Sequence, residues 1–220
     1  MIVGELKPLE KIEEMLKGCS KVLVVGCNGC VAVCQTGGPR EAESLARLLR
    51  LKGIEADWAW VPRQCEWEFL EQLRDRLEGY RAVLSTACGI GVQAANQYYQ
   101  EILTLPALNT TFLGMPVEQG FFAERCRACG DCMLHLTGGI CPVARCAKNL
   151  MNGPCGGSQN GRCEVASEVE CAWHLIYERL RKLGRLDDLL AIRPPKDWSS
   201  AGHGGPRKMV KEELIFDSEE

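Results

Sequence analysis

The chain has 220 residues, 46% of them hydrophobic, and Lys plus Arg (26) nearly balances Asp plus Glu (29) for a net charge of −3. That length suits one large domain or two small ones, and the near-neutral balance argues against nucleic acid as the main partner, since phosphate binding relies on clustered positive charge. The opening Met1-Ile2-Val3-Gly4-Glu5 has no basic flank and no long apolar run, so no signal peptide, no membrane span and a cytoplasmic location are expected.

Residues 1–122 read as an alternating α/β unit. Apolar residues recur at helical intervals from Leu6 to Gly18, and Lys21-Val22-Leu23-Val24-Val25-Gly26 is a β-branched run with the pattern of a buried strand. Gly37-Gly38-Pro39 leads into a helix over Glu41 to Leu51 with Gly53 as its stop. A strand over Ala56 to Val61, a helix over Glu66 to Leu77 and a strand over Arg81 to Thr86 follow. Gly91 to Leu103 reads as helix and Ala107 to Phe112 as a further strand. Strands alternating with helices of this length predict a Rossmann- or flavodoxin-like parallel sheet with helices on both faces.

The outlying number is 14 cysteines. With no secretory signal and with short spacings, metal ligation is expected rather than a disulfide framework. Cys27, Cys30 and Cys34 follow the first predicted strand, Cys65 the second and Cys88 the third. All five are placed at the carboxyl ends of the sheet, where open α/β folds hold ligands. Cys19 precedes the first of these strands and reads as structural. Three thiolates from one tight turn plus one from a distant loop suit a cubane cluster, although four thiolates also suit zinc. Cys65 and Cys88 compete for the fourth position.

Residues 123–192 form a second, cysteine-rich unit closed by an amphipathic helix over Val169 to Leu183. Cys126, Cys129, Cys132, Cys141, Cys146, Cys155, Cys163 and Cys171 stand among glycines with few apolar runs, so metal is expected to substitute for a hydrophobic core. Cys126-x2-Cys129-x2-Cys132 with the later Cys141-Pro142 is similar to the bacterial ferredoxin run, except that the last interval is eight residues instead of three. Eight thiols are the arithmetic of two four-thiolate sites, and one site plus structural thiols competes with it. His135, His174 and His203 read as surface or packing residues, and Gly89-Ile90-Gly91 lacks the full dinucleotide fingerprint. No Ser/His/Asp set or paired carboxylates stand out, so no catalytic residue is assigned. Residues 193–220 are rich in Pro, Gly and charge, and read as an extended tail or an arm on a partner, with Trp198 as its anchor.

Gly26-Cys27-Asn28-Gly29-Cys30, Arg63-Gln64-Cys65, Ala87-Cys88-Gly89-Ile90-Gly91-Val92-Gln93 and Leu105-Pro106-Ala107-Leu108-Asn109-Thr110-Thr111 form one set of motifs. Thr137-Gly138-Gly139-Ile140-Cys141-Pro142 and Asn152-Gly153-Pro154-Cys155-Gly156-Gly157-Ser158 form another. Together they resemble the small iron–sulfur subunit of methylenetetrahydrofolate reductase of acetogens and related anaerobes. The resemblance implies a non-catalytic electron-transfer and docking subunit, with two or three [4Fe–4S] clusters, in one-carbon (Wood–Ljungdahl) metabolism. It implies a flavin-bearing, folate-reducing partner subunit and leaves room for a further electron-donating iron–sulfur or flavin subunit. The competing expectations are a zinc-bearing structural module and, lower in rank, an independent reductase.

Overall fold

The computed structural model describes residues 1–201 and 206–211. It divides into an amino-terminal unit, Met1–Glu124, and a carboxy-terminal unit, Arg125–Glu220.

From Ile2 to Cys126 the elements run β1 (Ile2–Leu6), α1 (Leu9–Met15), β2 (Lys21–Cys27), α2 (Cys30–Val33), α3 (Pro39–Leu51), β3 (Glu55–Val61), α4 (Trp67–Glu71), β4 (Ala82–Ser85), α5 (Gly89–Tyr98), β5 (Thr104–Pro106), β6 (Leu108–Glu118) and β7 (Phe121–Cys126), the last ending two residues past the amino-terminal unit. Four strands form a parallel sheet in the order β3-β2-β4-β5. The central β2 is buried from Val22 onward, as its unbroken apolar run requires. One face packs on α1 and α3 through Ile12, Leu16, Ala42, Leu45 and Leu49 against Val22, Val24 and Leu84. The other packs on α4 and α5 through Leu70, Leu73, Ala95 and Tyr99 against Leu23, Val25 and Val83. Because the chain leaves β2 first to β3 and then crosses to β4, the winding reverses between β2 and β4. Such a reversal opens a crevice at the carboxyl ends of the strands.

A second sheet is antiparallel, in the order β1-β6-β7. Here the sequence reading is corrected. The helix expected from Leu6 is shorter and is preceded by a strand, with Ile2 paired to Leu113 and Leu6 to Leu108. The strand expected at Ala107 to Phe112 starts this antiparallel β6, while the fourth parallel strand is the short β5 before it. The stretch expected as one helix over Glu66 to Leu77 is α4 followed by a 3₁₀ turn at Arg74–Arg76.

Among the described residues the carboxy-terminal unit has little regular structure: α6 (Pro142–Arg145), α7 (Ala172–Leu183), short 3₁₀ turns and isolated bridges from Arg162 to Gln159 and Glu170. Its apolar cluster is small, with Cys171, Trp173, Ile176 and Leu180 buried and Ile140, Cys146 and Leu150 against them. Trp173, Ile176 and Leu180 recur at helical spacing on one face of α7, and Gly184 ends the helix in the left-handed region at φ 66°.

Candidate metal centre

Cys27, Cys65 and Cys88 stand at the carboxyl ends of three neighbouring parallel strands, with Cys27 the last residue of β2 and Cys88 the cap of α5. Burial pushes the Cys27 thiol up; the backbone amides of Gln64 and Gly29 face its sulfur and favour the thiolate, while Cys88 and Cys65 add to the rise. Burial likewise raises the Cys65 thiol, with Cys88 contributing in the same direction. The three thiols therefore share one neighbourhood, on the crevice where the winding reverses. Cys30 is exposed at the first residue of α2. Cys34 is not among them: its buried sulfur lies 3.3 Å from the Cys30 carbonyl and 3.7 Å from that of Ile2, and accepts from the Thr36 hydroxyl at 3.7 Å. Cys19 follows α1 and packs at the edge of the apolar cluster beneath that helix.

In the carboxy-terminal unit, Cys126, Cys129, Cys132 and Cys141 line one cavity of about 310 Å³, with Leu134 and Val143 among its apolar walls. The loop bends back on itself because Ala128 (φ 50°) and Gly130 (φ 83°) adopt the left-handed conformation. That bend lets the Ala128 N–H donate to the Cys126 sulfur at 3.3 Å. Burial holds the nearby Arg145 below the usual guanidinium range, and Arg125 acts in the same direction. Among the described residues no three His, Cys, Asp or Glu side chains stand close enough to hold a single metal ion.

Residues 105–199 match the family described as methylene-tetrahydrofolate reductase C terminal. The matched stretch contains all eight cysteines from Cys126 to Cys171. No curated protein and no solved structure matches the chain.

The other four cysteines of that stretch are placed differently. Cys155 lies 3.4 Å from the Glu164 carboxylate, which pairs with Lys148, and Lys148 feels both Cys155 and Cys163. Cys146 and Cys171 belong to the apolar cluster beneath α7. His174 borders a cleft with Trp173 and Tyr177, and the His135 carbonyl accepts from Arg185 at 3.1 Å. His203 lies outside the described residues.

The segment after Ile192 has partners within its own unit. Arg193 donates to the carbonyls of Met151 and Leu136, both at 3.0 Å, and exchanges two hydrogen bonds with Asn152. Lys196, whose side chain is only 2% exposed, meets the carbonyl and the carboxylate of Asp131. The Ser200 hydroxyl donates to the Cys129 carbonyl at 2.9 Å, and Arg207 to that of Ala128 at 3.1 Å. These residues tie down the Cys126–Cys132 loop, and sequence reasoning missed them because nothing in the local pattern pairs positions 65 to 79 residues apart. Trp198, expected as a partner anchor, is 40% exposed, with Lys196 5.9 Å from its ring centre.

Proposed function

We propose that this chain is an iron–sulfur electron-transfer and docking subunit that serves a flavin-bearing methylenetetrahydrofolate reductase subunit. The observation that carries the reading is the cavity bounded by Cys126, Cys129, Cys132 and Cys141, within the stretch matching a methylenetetrahydrofolate reductase family. Four thiolates suit zinc as well as a [4Fe–4S] cluster, and their spread around a space of about 310 Å³ supports the cluster. A [4Fe–4S] cluster supplies one-electron transfer when bound. The protein's part is to orient four thiolates, to aim the Ala128 N–H at one of them, and to limit solvent access through Leu134 and Val143. We assign a second cluster to Cys27, Cys65 and Cys88, with the exposed Cys30 preferred over Cys34 as fourth ligand because the Cys34 sulfur is buried against the Ile2 and Cys30 carbonyls.

Metal analysis of anaerobically prepared protein tests this. The expected result is about eight iron atoms per chain, by the arithmetic of two cubanes, with matching acid-labile sulfide. Cys129→Ala and Cys27→Ala should each remove about half. Stoichiometric zinc with negligible iron would overturn the electron-transfer reading.

A further inference from the structure

Gln64 is a glutamine where an α/β core has no need of one. It is 1% exposed, and its Nε2 donates to the Val25 carbonyl on β2 at 2.8 Å. Its Oε1 accepts from the Ser85 hydroxyl, at the end of β4, at 2.6 Å. The same Ser85 oxygen accepts the backbone N–H of Ala87 at 3.1 Å, and Ala87 precedes Cys88. The backbone amide of Gln64 faces the Cys27 sulfur, and the next residue is Cys65. One buried side chain thus joins the three segments that end in Cys27, Cys65 and Cys88. Helix α5 closes over it closely: a Cβ on Gly91 would stand 2.7 Å from the Ala87 Cβ and 3.0 Å from the Gln64 Cβ.

The sheet does not require this amide. Leu23, Val25, Val83 and their partners already fill the core on that face, and a buried polar group gains little net stability while costing about 1–3 kcal/mol if left unpaired. What the amide adds is a direct side-chain tie between three strand ends, beside the bonds from the Thr86 hydroxyl to the Val25 and Gly37 carbonyls. We propose that Gln64 and Ser85 are positioning residues that set the separation of Cys27, Cys65 and Cys88 for a bound metal group. The assignment rests on the metal reading of those three thiols given above. Outer residues that orient metal ligands typically control affinity by about 10- to 100-fold.

The test uses the full chain loaded anaerobically with iron and sulfide, and follows iron release to a ferrous chelator. Wild-type protein should release iron in two phases, one of which Cys27→Ala abolishes. Gln64→Met keeps the side-chain length but removes the polar contacts, and should accelerate that phase about tenfold or more. Ser85→Ala, which removes one hydroxyl, should accelerate the same phase less. The other phase and the far-UV circular dichroism should not change. If Gln64→Met does not fold, Ser85→Ala decides: acceleration supports the assignment. Release unchanged in the folded variants would overturn it, leaving the amide a packing residue. Iron content unaffected by Cys27→Ala would instead overturn the metal reading at this site, and the assignment with it.

Discussion

Gly37 has no room for a methyl group. A Cβ there would stand 1.9 Å from the Thr86 carbonyl oxygen and 2.9 Å from side-chain carbons of Leu108 and Val31. Its own carbonyl accepts the Cys27 N–H at 2.9 Å and the Thr86 hydroxyl at 2.6 Å, so it anchors the turn that carries the first thiol. Overpacking typically costs about 1–3 kcal/mol, and the obstacle here is backbone that cannot swing aside. Gly37→Ala should therefore lower the stability of the amino-terminal unit by about 3 kcal/mol, read as a fall in the urea midpoint. Sequence alone marks Gly37-Gly38-Pro39 as a turn before a helix and says nothing of this contact. Gln64 was opaque in the same way: between Arg63 and Cys65 it looks like a loop residue, and only the folded sheet brings Val25 and Ser85 against it. The closeness of Cys126, Cys129 and Cys132 around one cavity was legible because two-residue spacings keep them together.

Among the elements, what is local was readable. The apolar run of β2 and the face of α7 that buries Trp173, Ile176 and Leu180 both follow from their own residues. Strand β1 was hidden because its partner, β6, lies more than a hundred residues away and Ile2-Val3 is too short a run to declare itself. The segment after Ile192 was hidden for the same reason. Arg193, Lys196 and Ser200 each bond to a carbonyl of the cysteine-rich unit, and each such bond contributes on the order of 1 kcal/mol net. The fit is tight enough that a Cβ on Gly130 would lie 2.4 Å from the Ser200 carbonyl oxygen. Ending the chain after Ile192 should therefore loosen the Cys126–Cys132 loop and speed iron release from that site about tenfold. Release from the site that depends on Cys27 should stay unchanged. Equal rates in the full and shortened chains would show that the segment does not hold the loop.

On the scale of the whole molecule, the two units differ in what can hold them together. The amino-terminal unit buries apolar side chains on both faces of its parallel sheet, a core sufficient for a domain of this size. The carboxy-terminal unit buries Trp173, Ile176 and Leu180 with few others, and most of its chain is irregular. With so little apolar area, its backbone entropy is not offset by burial alone. The ligation proposed above, by the thiolates lining the Cys126–Cys141 cavity, would supply the difference, since metal binding to a site absent from the unfolded chain acts as folding free energy. Cys129→Ala in the full chain should therefore leave residues 1–124 resistant to trypsin while the remainder is degraded. Cys27→Ala should leave both units resistant, because the sheet has its own core. Mass spectrometry of the limit digests reads the contrast directly. Equal protease sensitivity of the two variants would mean that the carboxy-terminal unit folds without its metal, and that its eight cysteines serve some other purpose than holding it together.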